Sequence, residues 1–169
     1  MGFFSTLVKL EALNIGNCTT ITHIGLSSVK YLALTELNIS GIECDDSYLA
    51  VISEMGIICK LDIGRYPGCN DDLITDRGLS HLSSFRHLTY LSMVLSNSVS
   101  HVGMESIKNL PIQDLTIGDT DPGAGLDYYL PYIGTFVELR QLDLQPYLFF
   151  KGEPTGTFAT ANGFSHLGT

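Results

Sequence analysis

The side chains that could support chemistry in this sequence are four cysteines and five histidines, which stand far apart. The cysteines, Cys18, Cys44, Cys59 and Cys69, are separated by 26, 15 and 10 residues, a spacing that does not predict a zinc site. A catalytic thiol needs a neighbouring base, which His81 could supply to Cys69. No nucleophile or oxyanion-hole motif accompanies that pair. We therefore predict that the chain is not an enzyme, and a hydrolase or thiol enzyme is the weakest alternative.

Two acidic pairs and one glycine-rich segment are the other motifs that suggest a ligand. Residues 121–125 read Asp-Pro-Gly-Ala-Gly and lack the Lys-Ser/Thr end of a phosphate-binding loop, so they predict a turn. Asp45-Asp46 and Asp71-Asp72 do not fit the spacing of an EF-hand loop. We accordingly predict no catalytic residue, no cofactor and no metal site.

The composition indicates a packed, acidic chain. Of its 169 residues 44% are hydrophobic, and 18 acidic residues against 9 basic ones give a net charge of -9. This balance argues against nucleic acid or an anionic membrane as the partner, because both require clustered lysine and arginine. No apolar run reaches the roughly 20 residues of a membrane helix, and residues 1–13 do not resemble a signal peptide. Since the cysteines predict no disulfide framework, we expect a cytoplasmic location.

A short apolar phrase recurs six times and predicts the elements that must position any functional side chain. The phrase is apolar-x-x-apolar-x-apolar, repeated at intervals of 24, 24, 30, 24 and 27 residues, and its central residues are Leu13, Leu37, Leu61, Leu91, Leu115 and Leu142. Apolar residues two apart share one face of a strand, so each phrase predicts a short strand with a buried and an exposed face. Repeats of this length indicate a solenoid, in which neighbouring units bury each other's apolar faces.

Each strand phrase is followed by a second apolar series with helical spacing. In the first repeat this series comprises Ile21, Ile24 or Leu26, Val29 and Leu32. In residues 22–29, 75–82 and 100–107, and more faintly in 162–167, a glycine directly precedes an apolar residue. We infer that a helix begins there against closely packed backbone, which glycine permits.

The first repeat resembles a leucine-rich repeat of the cysteine-containing class, which occurs in F-box substrate receptors and related adaptors. Residues 10–29 read Leu-x-x-Leu-x-Ile-x-x-Cys-x-x-Ile-Thr-x-x-Gly-Leu-x-x-Val, and residues 61–82 match again with Cys69 delayed by an insertion. Cys18 and Cys69 are predicted to pack in turns as small buried hydrophobes. In the other repeats this position holds Ile42, Ser96, Thr120 or Tyr147. The resemblance implies an α/β leucine-rich repeat solenoid, a right-handed β-α superhelix with a parallel sheet on the concave face and helices on the convex face.

We interpret residues 1–169 as one array of about six repeats. Because neither end shows a polar cap, we expect a fragment of a longer array, or a chain that self-associates through its uncapped ends. Two insertions, at 64–72 and 145–161, interrupt the pattern and could carry recognition. Exposed aromatic side chains are frequent binding hot spots, and the candidates in these loops are Tyr66, Tyr147, Phe149 and Phe150.

The alternation within the strands predicts two rows of outward side chains. The first row is Ala12, Glu36, Lys60, Tyr90, Asp114 and Gln141, and the second is Asn14, Asn38, Asp62, Ser92, Thr116 and Asp143. We predict a non-enzymatic scaffold for protein–protein interaction, whose partner offers basic or hydrogen-bonding groups. Its predicted partner-binding residues are Glu36, Asn38, Lys60, Asp62, Tyr66, Tyr90, Ser92, Asp114, Thr116, Gln141 and Asp143. Charge reversal at Asp62 and Asp114 should weaken binding without unfolding the chain, and the alternative role is substrate recognition in an F-box type ubiquitin ligase receptor.

Overall fold

The predicted alternation of strands and helices is present in the computed structural model, which describes residues 7–64, 73–95, 97–119 and 126–145. Within these residues six strands alternate with five helices. The elements are β1 (Ala12–Asn14), α1 (His23–Leu26), β2 (Glu36–Asn38), α2 (Asp46–Ser53), β3 (Lys60–Asp62), α3 (Asp76–Leu82), β4 (Tyr90–Leu95), α4 (His101–Ile107), β5 (Asp114–Asp119), α5 (Leu130–Ile133) and β6 (Gln141–Gln145). Two 3₁₀ turns cover Ser27–Val29 and Leu126–Tyr128. The prediction of an α/β fold is confirmed.

The strands form one parallel sheet whose order follows the chain from β1 to β6. Their register aligns the central leucines of the apolar phrases from strand to strand: Leu13, Leu37, Leu61, Leu91, Leu115 and Leu142. Parallel neighbours require a crossover connection, which the helical part of each repeat provides. The two longer intervals, of 30 and 27 residues, leave the register unchanged because the additional residues lie outside the strands.

One face of the sheet is buried and the other is polar. The central leucines of β2 to β5 are at most 2% exposed and share one apolar cluster with helix residues such as Leu49, Leu79 and Met104. Burying each such side chain stabilises the fold by about 1.5 to 3 kcal/mol. Leu13 and Leu142, on the first and last strands of the described sheet, are only half-buried. The polar face is formed by the first-row and second-row side chains that flank each central leucine.

The first four helices begin after residues whose side chains cap them. The side-chain oxygen of each N-cap residue accepts a hydrogen bond from a backbone N–H group in the first turn of its helix. These N-cap residues are Thr22, Asp45, Thr75 and Ser100. In α1 the side chain of Leu26 is buried whereas Ile24 is 71% exposed, so Leu26 is the core member of the two alternatives. The apolar series continues into the 3₁₀ turn that follows α1, where Val29 is buried.

Two aspartates join consecutive helices. Asp46, the first residue of α2, accepts hydrogen bonds from the Thr75 N–H at 2.8 Å and the Thr75 hydroxyl at 2.7 Å. Asp76, the first residue of α3, accepts from the N–H and hydroxyl of Ser100 at 2.7 and 2.6 Å and from the Gly103 N–H at 3.0 Å. Burial raises the pKa of Asp76, but the hydrogen bonds from Ser100 and Gly103 outweigh it, so the pKa lies below its ordinary value. Each carboxylate thus ties the start of the next helix to the one before.

The repeated glycine is closely packed at two of its three described positions, but chiefly against a carboxylate side chain and not against backbone as predicted. The fourth position, in residues 162–167, lies outside the described residues. A Cβ atom on Gly78 would overlap the Asp46 carboxylate, and one on Gly103 would lie 2.5 Å from Asp76 Oδ1. A Cβ atom on Gly25 would meet its nearest neighbour at 3.7 Å, an ordinary contact, so the prediction is wrong there. Gly25 belongs to the first helix of the described residues, and no aspartate from a preceding helix in that part reaches it.

The cysteines fit their predicted packing role only in part. Cys44 is buried and Cys59 half-buried, but Cys18 is exposed, so the prediction that its thiol is buried in a turn is wrong. Ile42, at the same position of the second repeat, is 1% exposed because stacked repeats lie on both sides of it. Cys18 follows β1, the first strand of the described sheet, and within the described residues it has such a neighbour on one side only. Cys69 lies outside the described residues.

The helices of this fold are short. The longest in the described segments, α2, has 8 residues, whereas a membrane-crossing helix needs about 20. No helix in these segments is long and apolar enough to cross a membrane.

Candidate functional site

The register of the sheet brings the predicted rows together on the polar face. Adjacent strands pair the first-row residues in the order Ala12, Glu36, Lys60, Tyr90, Asp114 and Gln141. The second row is paired in the same way: Asn14, Asn38, Asp62, Ser92, Thr116 and Asp143. Residues that are 24 to 30 positions apart in the chain therefore become neighbours across the strands. Tyr66, Tyr147, Phe149 and Phe150 lie outside the described residues.

A groove of about 530 Å³ runs along the polar face from β1 to β5. The predicted residues that line it are Glu36, Asn38, Lys60, Asp62, Tyr90 and Asp114. The other four predicted residues within the described segments, Ser92, Thr116, Gln141 and Asp143, do not line it. Sequence reasoning missed Thr89, which also lines the groove, because Thr89 precedes β4 and lies outside the alternating rows.

Within the groove, an ion pair joins side chains of the neighbouring strands β2 and β3. Lys60 Nζ lies 2.7 Å from Glu36 Oε1, and both side chains are about half-exposed, at 56% and 47%. The hydrogen bond from Lys60 to Glu36 and the charge of Glu36 raise the pKa of Lys60, and the charge of Asp114 adds to this effect. The charge of Lys60 is therefore paired with that of Glu36.

Tyr90 and Asp114 form the part of the first row whose side chains lack a direct ion-pair or hydrogen-bond partner within the described segments, although the Asp114 charge also acts on Lys60. They are directly paired across β4 and β5, and both are half-buried. Among the described residues neither the Asp114 carboxylate nor the Tyr90 hydroxyl has a hydrogen-bond or ion-pair partner. A carboxylate that can accept hydrogen bonds thus lies beside an aromatic ring in the groove.

Second-row side chains near β1 to β3 have a structural role. Asn14 Oδ1 accepts from the Gly16 N–H, and Asp62 Oδ1 accepts from the Gly64 N–H, both at 3.0 Å. Asn38 Oδ1 likewise accepts from its neighbour two residues on, and its Nδ2 donates to Asp62 Oδ2 at 3.2 Å. These side chains close the turn after each strand, as Asn and Asp commonly do. Charge reversal at Asp62 would remove the acceptor of these hydrogen bonds, so we expect it to lower stability as well as affect binding.

The turns after β1 and β2 also share a backbone conformation. Asn17 and Gly41 occupy equivalent positions in the first two repeats, and both have a positive φ, of 63° and 73°. Asn and Gly are the residues that adopt this left-handed conformation at low cost. In the sequence, an Asn or Asp followed two residues later by Gly or Ser could have predicted these turn-closing side chains.

The remaining second-row residues differ in accessibility. Ser92 is only 8% exposed, so its predicted availability to a partner is wrong. The close approach of backbone explains this burial, because a Cβ on Gly64 would lie 3.0 Å from Ser92 Oγ. Thr116 is half-buried, and Asp143 is exposed but already accepts a hydrogen bond from Gln145 Nε2 at 3.1 Å.

The polar face carries net negative charge. Its two rows contain four carboxylates and one ammonium group, a net of minus three: Glu36, Asp62, Asp114 and Asp143 against Lys60. Charges that share a face add in potential, which attracts a cationic partner and repels an anionic one. The local excess has the same sign as the net charge of the chain, -9.

Other groups with chemical potential are dispersed. In the described segments no three His, Cys, Asp or Glu side chains are grouped so that they could hold a metal ion. His23 packs edge-on against the ring of Tyr48, with ring centroids 5.8 Å apart and an interplanar angle of 77°. The pair of Cys69 and His81 is not described, because Cys69 lies outside these segments.

Comparison with known proteins adds no assignment to this geometry. No protein-family model matches the chain. No curated protein matches it either. The functional interpretation therefore rests on the groove and the charges of the polar face.

Proposed function

We propose that this chain is a leucine-rich repeat solenoid that acts as a protein-interaction scaffold, with the polar face as its concave, partner-binding side. The single parallel register of the repeated phrases supports the solenoid part of the proposal. In such an array each unit contacts its neighbours, and the stacked strands offer one continuous surface. The whole described chain would then serve to hold one row of side chains in fixed positions.

The observation that carries the proposal is the groove of about 530 Å³ lined by first-row and second-row side chains. It crosses five strands, which at about 4.8 Å between strands gives a length of about 19 Å. A groove of this length fits an extended or helical segment of a protein. The net negative charge of the polar face favours a basic segment.

The size of the surface also indicates what else must contribute. Six strands of three to six residues, about 4.8 Å apart, give a projected face of less than about 400 Å². A typical specific complex buries about 800 Å² on each partner. We therefore expect the segments 64–72 and 145–161 to add contacts in the complete complex.

The test uses a partner captured by the wild-type chain, then purified and measured against variants by calorimetry. The double variant Tyr90→Ala with Asp114→Lys should weaken binding at least tenfold, because it removes the ring and reverses the charge of the carboxylate. Glu138→Lys reverses an exposed acid outside the two rows and should change affinity less than twofold. Equal affinity of the double variant and wild type would refute binding through the polar face. Circular dichroism of each variant checks that the fold is retained.

A second candidate is substrate recognition within an F-box type ubiquitin ligase receptor. The phrase at residues 10–29, with Cys18 at its turn, favours this role by resemblance. A plain adaptor would use the same face without recruiting ligase machinery. An F-box-like segment in the same gene product, and binding of the ligase adaptor subunit to that product, would favour the receptor. Absence of both would leave the plain adaptor.

A further inference from the structure

The Tyr90–Asp114 pair, the directly paired ring and carboxylate of β4 and β5, is the part of the groove best suited to a specific ligand group. We propose that this pair binds the guanidinium group of an arginine side chain on the partner protein. The inference rests on the proposed function of the polar face and names the chemistry that it recognises.

Geometry supplies the first argument. Tyr90 and Asp114 share one register position on neighbouring strands, so their side chains leave the sheet about 5 Å apart on the same face. A cation that lies over an aromatic ring within about 6 Å of its centre is attracted by the ring's π electrons. A planar cation stacked on Tyr90 is therefore within reach of the Asp114 carboxylate at the same time.

The state of the two groups supplies the second argument. Asp114 is half-buried and has no side-chain partner among the described residues, whereas Asp62 and Glu36 already accept hydrogen bonds or pair with a base. A half-buried carboxylate gains more from a cation than a fully solvated one, because water screens the pair less. Asp114 is therefore the carboxylate lining the groove that has no direct ion-pair or hydrogen-bond partner among the described residues, and it is open to an incoming cation.

The shape of the ligand decides between arginine and lysine. A guanidinium group is planar, so it can stack on Tyr90 and donate two parallel hydrogen bonds to Asp114. A lysine ammonium group is a point charge that can pair with Asp114 but gains less from the ring face. Lys60 is the positive group nearest along the row, and its ion pair with Glu36 reduces its repulsion of an incoming guanidinium.

The test is an NMR titration of the ¹⁵N-labelled full chain with three blocked heptapeptides of sequence Gly-Ser-Gly-X-Gly-Ser-Gly. X is arginine, lysine or citrulline, the neutral counterpart of arginine. The arginine peptide should shift the amide signals of Tyr90 and Asp114 with saturation, and several-fold more tightly than the lysine peptide. The citrulline peptide should produce no saturable shift.

Variants locate the effect on the two side chains. Asp114→Asn should abolish saturable binding of the arginine peptide, and Asp114→Glu, which retains the charge, should preserve part of it. Tyr90→Leu should remove the preference for arginine over lysine. Glu138→Gln is the matched control, because this exposed acid lies outside the two rows, and arginine binding should be unchanged.

The outcomes separate this proposal from the proposed function. Equal shifts with arginine and citrulline, or arginine binding that survives Asp114→Asn, would refute the arginine site. If the purified partner nevertheless loses affinity for the Tyr90→Ala, Asp114→Lys double variant, the polar face stands and only the arginine site is wrong. If that double variant binds the partner as wild type does, the polar face is wrong as well.

Discussion

Replacement of the repeated helix glycine by alanine should have opposite effects in two repeats that look alike in sequence. Gly25 and Gly103 occupy the same position of the helical phrase. Alanine in a helix is more favourable than glycine by about 0.5 to 1 kcal/mol. A Cβ at Gly25 makes only an ordinary contact at 3.7 Å, so Gly25→Ala should stabilise the chain by about that amount.

The Gly103→Ala variant should instead be destabilised. Its Cβ would lie 2.5 Å from Asp76 Oδ1, so the carboxylate must move away. That carboxylate is held by hydrogen bonds of 2.6 to 3.0 Å from Ser100 and Gly103. Losing one hydrogen bond to a charged group costs about 1.5 to 3 kcal/mol, which exceeds the helical gain. We expect a net loss of about 1 to 2 kcal/mol.

Urea unfolding followed by far-ultraviolet circular dichroism measures both changes, provided that the denaturant slope is the same in all variants. In an Asp76→Ala background, Gly103→Ala should cost less than half as much, because the group that it displaces is gone. Equal stabilisation at positions 25 and 103 would refute the close packing of Asp76 on Gly103. So would a cost at Gly103 that is independent of Asp76.

The packing of the core and of the helix starts leads to four further predictions. Tyr48→Phe should cost about 0.5 to 1.5 kcal/mol in urea unfolding, because the Tyr48 hydroxyl, on a residue 7% exposed, donates to the Ile21 carbonyl at 2.7 Å. The pKa of Asp76 is lowered in the folded chain, so Asp76 contributes stability that is fully present above its ordinary pKa of about 3.9 and is lost as pH falls through the lower folded value. The free energy of unfolding, measured at a series of acid pH values, should therefore depend less on pH in Asp76→Asn. Leu91→Ala, at a fully buried site, should cost about 2 to 5 kcal/mol, and Leu10→Ala, at a half-buried site, much less; equal losses by calorimetry would contradict the layered packing. Half-buried Leu13 and Leu142, on the first and last described strands, predict concentration-dependent self-association, and a clean monomer in sedimentation equilibrium at all concentrations would argue against it.

The sequence alone determined the strands, their order and the face that each side chain occupies. The apolar phrase specifies the face because side chains alternate along a strand, and its near-constant interval aligns each repeat with the next. Leu61 and Leu91 therefore pair correctly even across the longest interval. For the same reason the alternation by itself places the first row, including Tyr90 and Asp114, on one face. The turn-closing roles of Asn38 and Asp62 were also accessible, since Gly or Ser two residues later signals them.

Tertiary structure alone decided which side chains are buried or exposed and which atoms pack against them. Gly25 and Gly103 have the same local phrase, and they differ only because Asp76 from the preceding repeat lies against Gly103. Cys18 is exposed because it belongs to the first described layer, and Ser92 is buried because the backbone at Gly64 approaches it. Each outcome depends on atoms about one repeat away in the chain. A local pattern specifies which way a side chain points, but its environment depends on what the neighbouring repeat places against it.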